Sequence, residues 1–334
     1  MSQVLVSTIH PELFHYTTES GLRGILQSQF LRATHWQHLN DTQELIHLGE
    51  TLAEHIQPDL LLETSARAHN SSEFRQLVTE RGGEIAFVRS LAQQLTGLMN
   101  QTLLNGDPQS QIFDFFVTSF CTPPGYSEYV REHGLLSQWR SYGSNGGYAI
   151  VFDTARLETL MEAEASRWSS LLSLGDVGYS ADSREVLFQR LDVLPHLVQT
   201  LVSFAIEPTA ESSEAVLRPF LECATRFKHW AFSEEHEVRL VVILDGTLMH
   251  QENAFDGVTV KEPPRASFDR CSMSVPCLNL FDGIETHRSP RLPIQRIIVG
   301  PGPSQAERVI VLKELLNQYG QAISVTRSEI PLRF

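Results

Sequence analysis

The chain is poor in the features that mark the more recognisable protein classes. Its four cysteines, Cys121, Cys223, Cys271 and Cys277, include no C-x-x-C pair. That removes a thiolate zinc site at the usual spacing, and reduced thiols in a cytoplasm are the expectation. No basic start leads into an apolar run, so neither a signal peptide nor a membrane span is expected. Positive charge is in deficit: 26 Lys and Arg against 40 Asp and Glu give a formal charge of -14. Such a surface repels phosphate backbones and anionic lipids, so we expect no membrane partner and no general nucleic-acid binding. There is no G-x-S-x-G, no P-loop and no H-E-x-x-H. Gly300-Pro301-Gly302-Pro303 is no dinucleotide loop, because proline removes backbone donors. Gly143 to Gly147 links a helix to a strand, the reverse of the order a dinucleotide fingerprint needs. His35 and His38 alone are a weak metal signal, and no metal is expected.

What remains is an ordinary globular composition. The 334 residues are 42% hydrophobic and 20% charged, enough for a sizeable core and unlike a disordered chain. Phe14 and Tyr16 end a short strand, and Thr17 or Thr18 caps a helix whose Leu22, Ile25, Leu26 and Phe30 share a face. Leu39-Asn40-Asp41 is a turn before a helix from Glu44 to about His55. Residues 60–105 look helical. Phe113 to Cys121 is a buried strand ended by Pro123-Pro124-Gly125. Leu135, Leu136, Trp139 and Tyr142 share a helical face, and Tyr148 to Asp153 is a strand. Residues 155–230 look mostly helical, with a short strand near Val177-Gly178-Tyr179. His236 to Leu244 is the clearest strand. Residues 245–290 look loop-rich. Arg296 to Val299, Ser304 to Tyr319 and Ile323 to Thr326 complete a strand, a helix and a strand. Strands scattered along the chain with helices between them give an α+β expectation.

The strongest chemical signal is Glu235-His236-Glu237-Val238-Arg239. Alternation along a strand sends Val238, Leu240, Val242 and Leu244 to the core and Glu235, Glu237 and Arg239 together to the other face. Buried charge is costly unless paired, so either Arg239 holds the acids as a structural network or a carboxylate faces a ligand. A second signal is Phe14-His15-Tyr16-Thr17 at a strand-to-helix junction, where hydrogen-bonding side chains meet free helix N–H groups. Ser119 sits on the strand Phe113 to Cys121, and Trp139 and Tyr142 lie just beyond it, where aromatics at helical spacing read first as core.

The order of the pieces says more than any one. It runs H-Y-T, G-x-x-x-I-L, L-N-D-x-x-E, S-F-C, W-x-x-Y, G-Y-A-I-V-F-D, E-x-E-x-R-L, I-I-V-G-P and S-x-I-P-x-R. This resembles the bacterial family labelled domain of unknown function twenty-nine seventy-one, grouped with ADP-ribosyltransferase-like proteins, from Phe14 to Arg333. The resemblance implies one domain over 1–334: a split, curved β core, helical insertions at about 60–105 and 155–230, and a loop-rich segment at 245–290. It also implies NAD in the cleft as substrate. His15 matches the first-strand residue that holds the ribose and nicotinamide region, with Tyr16 and Thr17 beside it. Ser119 matches the residue shaping the nicotinamide pocket, and Tyr142 the aromatic near it. Glu237 matches the late-strand acid at the ribose. Glu235 matches the extra acid of arginine-modifying members. Arg239 holds the acids or grips a diphosphate. The middle motif is S-F-C rather than S-T-S.

The expected activity is therefore ADP-ribosyl transfer from NAD to an acceptor that the sequence does not name, whether protein, nucleic acid or small molecule. By analogy with the family this fits a toxin or phage-defence effector. An NAD glycohydrolase, or a sensor that binds NAD or ADP-ribose without chemistry, stand as alternatives.

Overall fold

The computed structural model describes residues 5–39, 44–99, 113–143, 146–168, 170–206, 209–245, 263–270, 272–284 and 292–332. Asn40, Asp41, Cys271 and Arg333 lie outside these residues, as does much of 245–290. Among the described residues the strands are β1 (Glu12–Thr17), β2 (Leu31–His35), β3 (Phe113–Cys121), β4 (Tyr148–Asp153), β5 (Ser170–Asp176) and β6 (Gly178–Tyr179). They continue with β7 (Phe227–Lys228), β8 (Glu237–Asp245), β9 (Arg265–Arg270), β10 (Met273–Leu280), β11 (Ile294–Val299) and β12 (Ser324–Arg327). Ten of them form one sheet in the order β12-β11-β4-β1-β3-β2-β10-β9, with β8 attached to β3 and β5 attached to β8. The fold is α+β.

The contacts divide the chain into two compact units: residues 1–38, 115–176 and 232–334, and residues 39–114 and 177–231. The second unit packs the helices Glu44–Asn70, Ser72–Glu80, Glu84–Met99, Arg184–Arg190, Leu194–Ile206 and Ala210–Thr225 with the small β6–β7 pair. Phe74 and Phe87 meet edge to face at 5.6 Å, an arrangement aromatic rings favour. Arg226 is 1% exposed and pairs with Asp192 at 2.8 Å, which answers the cost of burying its charge.

In the first unit the sheet separates two clusters of buried side chains, as strand alternation requires. Leu13, Phe120, Ile150, Val238 and Leu240 lie in one. Phe14, Tyr16, Cys121, Trp139, Ala149 and Val151 lie in the other. Each fully buried Leu or Phe contributes roughly 1.5–3 kcal/mol relative to exposure. β3 pairs with β1, β2 and β8. A strand has two edges, so two of the three partners share one edge, and the sheet forks at β3. β1 meets β3 at Phe14↔Cys121.

Trp139 anchors the second cluster. Its ring is fully buried, its Nε1 donates to the His133 carbonyl at 2.9 Å, and Tyr16 stands edge-on to it at 4.9 Å. Two glycines make room for it: a Cβ on Gly300 or on Gly134 would come within 2.6 or 2.7 Å of the indole. Gly300→Ala should therefore lower the unfolding free energy by about 1–3 kcal/mol, the usual cost of overpacking. Urea denaturation reads this directly, and an unchanged midpoint counts against the close packing.

On the same side of β1, Glu12 is 7% exposed and receives both Arg131 and Arg296. Arg131 Nε donates to Oε2 at 2.7 Å, Arg296 Nη2 donates to Oε2 at 3.0 Å, and Arg296 Nη1 also donates to Oε1. Burial alone raises this carboxyl, but hydrogen bonds and charge from Arg296 and Arg131 outweigh it and hold the pKa at about 2. A depressed folded pKa contributes stability above the unfolded value, and that contribution is lost as pH falls from 4.5 to about 2. Glu12→Gln should flatten the decline of stability across that window; an equally steep decline in the variant rejects the assignment.

Several elements differ from expectation. β5 is a strand within a tract expected to be mostly helical, and β2 is a strand at residues for which no element was expected. Residues 245–290 were expected to be loop, yet Arg265–Arg270 and Met273–Leu280 pair as an antiparallel hairpin. The helix from Glu44 continues past His55 to Asn70, carrying Pro58 inside it. Of the two residues expected to cap the helix Glu19–Ser28, Thr18 does so, its side chain accepting from Gly21 N–H.

Candidate functional site

Glu237 and Arg239 open β8, on the side opposite Val238 and Leu240. Each is 4% exposed. Arg239 Nε donates to Glu237 Oε1 at 2.8 Å and Nη2 donates to Oε2 at 3.3 Å. This two-point grip is the arrangement guanidinium and carboxylate favour. Spacing by two on a strand sends both side chains the same way, so the pair forms locally.

Glu235 lies outside the strand. It ends a 3-10 helix, Trp230–Glu235, and the strand starts two residues later. His236 between them has φ +44, the left-handed region. That residue breaks the alternation on which a shared face for Glu235 and Glu237 depended. Its carbonyl accepts Thr122 N–H at 3.0 Å and Thr122 Oγ1 at 3.2 Å, so the start of β8 is tied to the end of β3.

His15 stands on β1, half-buried against the edge of Phe120 at 5.9 Å. Its Nδ1 lies 3.0 Å from the Ser119 carbonyl. A carbonyl only accepts, so Nδ1 carries the hydrogen and Nε2 keeps its lone pair. Burial lowers the His15 pKa more than the Ser119 bond raises it, which favours this neutral form. The ring thus sits where β1 and β3 part, with one acceptor nitrogen to offer.

The other expected residues scatter. Ser119 is exposed at this fork. Thr17 ends β1, close to Gly21, where an added Cβ would come within 2.1 Å of its Oγ1. Tyr16 points to the opposite face from His15, and its hydroxyl accepts Leu135 N–H at 2.7 Å. Burial pushes its phenol pKa up. Tyr16 is thus placed as a packing residue beneath the site. Tyr142 ends the helix Leu136–Tyr142 at 40% exposure. His15 lies on the side of Leu13 and Phe120, and Glu237 on the reverse side of its strand. The structure brings together His15 with Ser119, and Glu237 with Arg239; the two pairs flank the end of β3 and do not share one flat face.

A cavity of about 340 Å³ lies elsewhere in the unit, between the loop at Pro301 and Gly302 and the segment from Arg327 to Leu332. None of the residues expected at the NAD site lines it. Parts of two motifs of the ordered string, I-I-V-G-P and S-x-I-P-x-R, fall on its walls. Among the described residues, no three His, Cys, Asp or Glu stand together as a metal site, and no helix is long and apolar enough to cross a membrane.

Comparison with known proteins supports one part of the resemblance. The model of a family described as "Protein of unknown function (DUF2971)" matches residues 138–240. That span runs from Gln138 beside Trp139 to Leu240 on β8, so it includes the Glu237–Arg239 pair. No curated protein and no solved structure matches the chain.

Proposed function

We propose that this protein cleaves the nicotinamide–ribose bond of NAD and transfers the ADP-ribose to an acceptor. The observation that carries the reading is the Glu237–Arg239 pair, buried at the start of β8 and tied through His236 and Thr122 to the end of β3. Breaking that bond spreads positive charge over the sugar, and a fixed carboxylate is worth most as that charge develops. Arg239 keeps Glu237 aimed. His15, neutral with Nε2 as acceptor, takes a hydrogen bond from a ribose hydroxyl and shuttles no proton. Ser119 is exposed next to the His15 contact, and in this reading Thr17 and Tyr142 reach the nicotinamide end from the end of β1 and the end of the helix Leu136–Tyr142. At 4% exposure Glu237 reaches substrate only when the chain around it yields, so binding includes an opening step.

A second reading starts from Glu235, which ends a 3-10 helix and is not fixed beside Glu237 by strand alternation. With water as acceptor in place of a side chain, the protein is an NAD glycohydrolase. Incubation with ADP-ribose-labelled NAD separates the readings. A labelled acceptor supports transfer, and free labelled ADP-ribose supports hydrolysis. Intact NAD after prolonged incubation with folded protein rejects both and leaves a binding role. The toxin or phage-defence setting rests on the family resemblance alone.

A further inference from the structure

We propose that the cavity beside the C-terminal segment binds a zwitterionic α-amino acid with an apolar side chain. One wall runs from Arg327, where β12 ends, to Leu332. Ser328 is 3% exposed and donates through Oγ to the His133 carbonyl at 2.6 Å. Arg327 and Glu329, on either side of it, are exposed, and both line the cavity. They are two residues apart, so their Cα atoms lie within roughly 7 Å. Among the described residues, neither side chain is ion-paired, with the other or with anything else. A guanidinium and a carboxylate left unpaired on one cavity wall match a ligand that carries both charges itself.

The rest of the lining fits the same ligand. Ile330, Pro331, Leu332 and Pro301 are apolar, and Gly302 leaves its backbone bare. Gln305 closes one end, its amide donating to the carbonyls of Val299, Gly300 and Ser328 at 3.1, 3.2 and 2.8 Å. These bonds hold the loop and the C-terminal segment at a fixed distance, so the cavity is formed before a ligand arrives. A volume near 340 Å³ is at the small end of ligand pockets, the size of a single metabolite. A phosphate or dicarboxylate suits it badly, because Glu329 offsets the one arginine. The amino acid's carboxylate lies on Arg327, its ammonium on Glu329, and its side chain against Pro331 and Pro301. No residue here belongs to the Glu237 and His15 region, so the proposal stands or falls apart from NAD turnover.

Titration calorimetry of the full chain with L-leucine tests it. Two half-ligands, 3-methylbutylamine and 4-methylpentanoate, each lack one charge. We expect leucine to bind, each half-ligand to bind at least about ten-fold more weakly, and Arg327→Gln and Glu329→Gln each to weaken leucine about ten-fold or more. Both substitutions are on exposed side chains, and circular dichroism confirms that the variants fold. The proposal is overturned if leucine gives no heat up to its solubility limit, if a half-ligand matches it, or if either folded variant binds it as the unaltered protein does.

Discussion

Glu237→Gln should abolish nicotinamide release, by about a hundred- to a thousand-fold or more, in a protein that remains folded. The expected size follows from the loss of a single preorganised group at the site where charge develops. Glutamine is the right replacement because it keeps the shape of the side chain. Its amide oxygen still accepts from Arg239, so the local structure survives while the negative charge is gone. A purely structural ion pair predicts the opposite pattern: a less stable protein whose turnover per folded molecule is unchanged. Nicotinamide release measured alongside near-ultraviolet circular dichroism distinguishes the two. A folded variant with undiminished release removes Glu237 from the mechanism.

Arg239→Met should be the most damaging single change to stability, at about 3–5 kcal/mol. Methionine fills much of the arginine's volume, so cavity formation is not the cause. The cause is a carboxylate at 4% exposure deprived of its guanidinium. Such a group escapes its penalty by binding a proton, so its folded pKa rises above the unfolded value. The variant should therefore gain stability as pH falls through that raised pKa, the reverse of Glu12. Adding Glu237→Leu should restore most of the loss, because two apolar residues need no partner. Unfolding midpoints for both single variants and the double variant close the cycle. A loss below about 1 kcal/mol in Arg239→Met means the pair is solvated rather than buried.

The sequence was most informative where apolar residues run unbroken. Val238 to Leu244, interrupted only by Arg239, and Tyr148 to Phe152 are buried at every position, and short continuous runs of β-branched and aromatic residues read as strands covered on both sides. The ends of the α+β architecture were legible for the same reason. β2 was hidden although its burial alternates, since two of its buried positions, Ala33 and His35, are not strong apolar signals. β9, Arg-Ala-Ser-Phe-Asp-Arg, is mostly exposed and carries almost no hydrophobic pattern. The 3-10 turn that ends at Glu235 was hidden because it depends on one left-handed histidine, a conformation that no side-chain pattern announces. The His15–Ser119 bond joins positions 104 residues apart, so it could be expected only from the resemblance. The Glu237–Arg239 pair was legible because it is built within three consecutive residues.

The place of β11 has a consequence for synthesis. It lies between β4 and β12, yet it is made long after β4 has left the ribosome. At 5–20 residues per second, the free border of β4 waits on the order of ten seconds for Ile294–Val299. Tyr148 to Phe152 are buried in the finished protein, so during that interval a greasy strand border is available to other nascent chains. Soluble yield should therefore follow translation speed and chaperone supply, and should improve when elongation between the two strands is hastened.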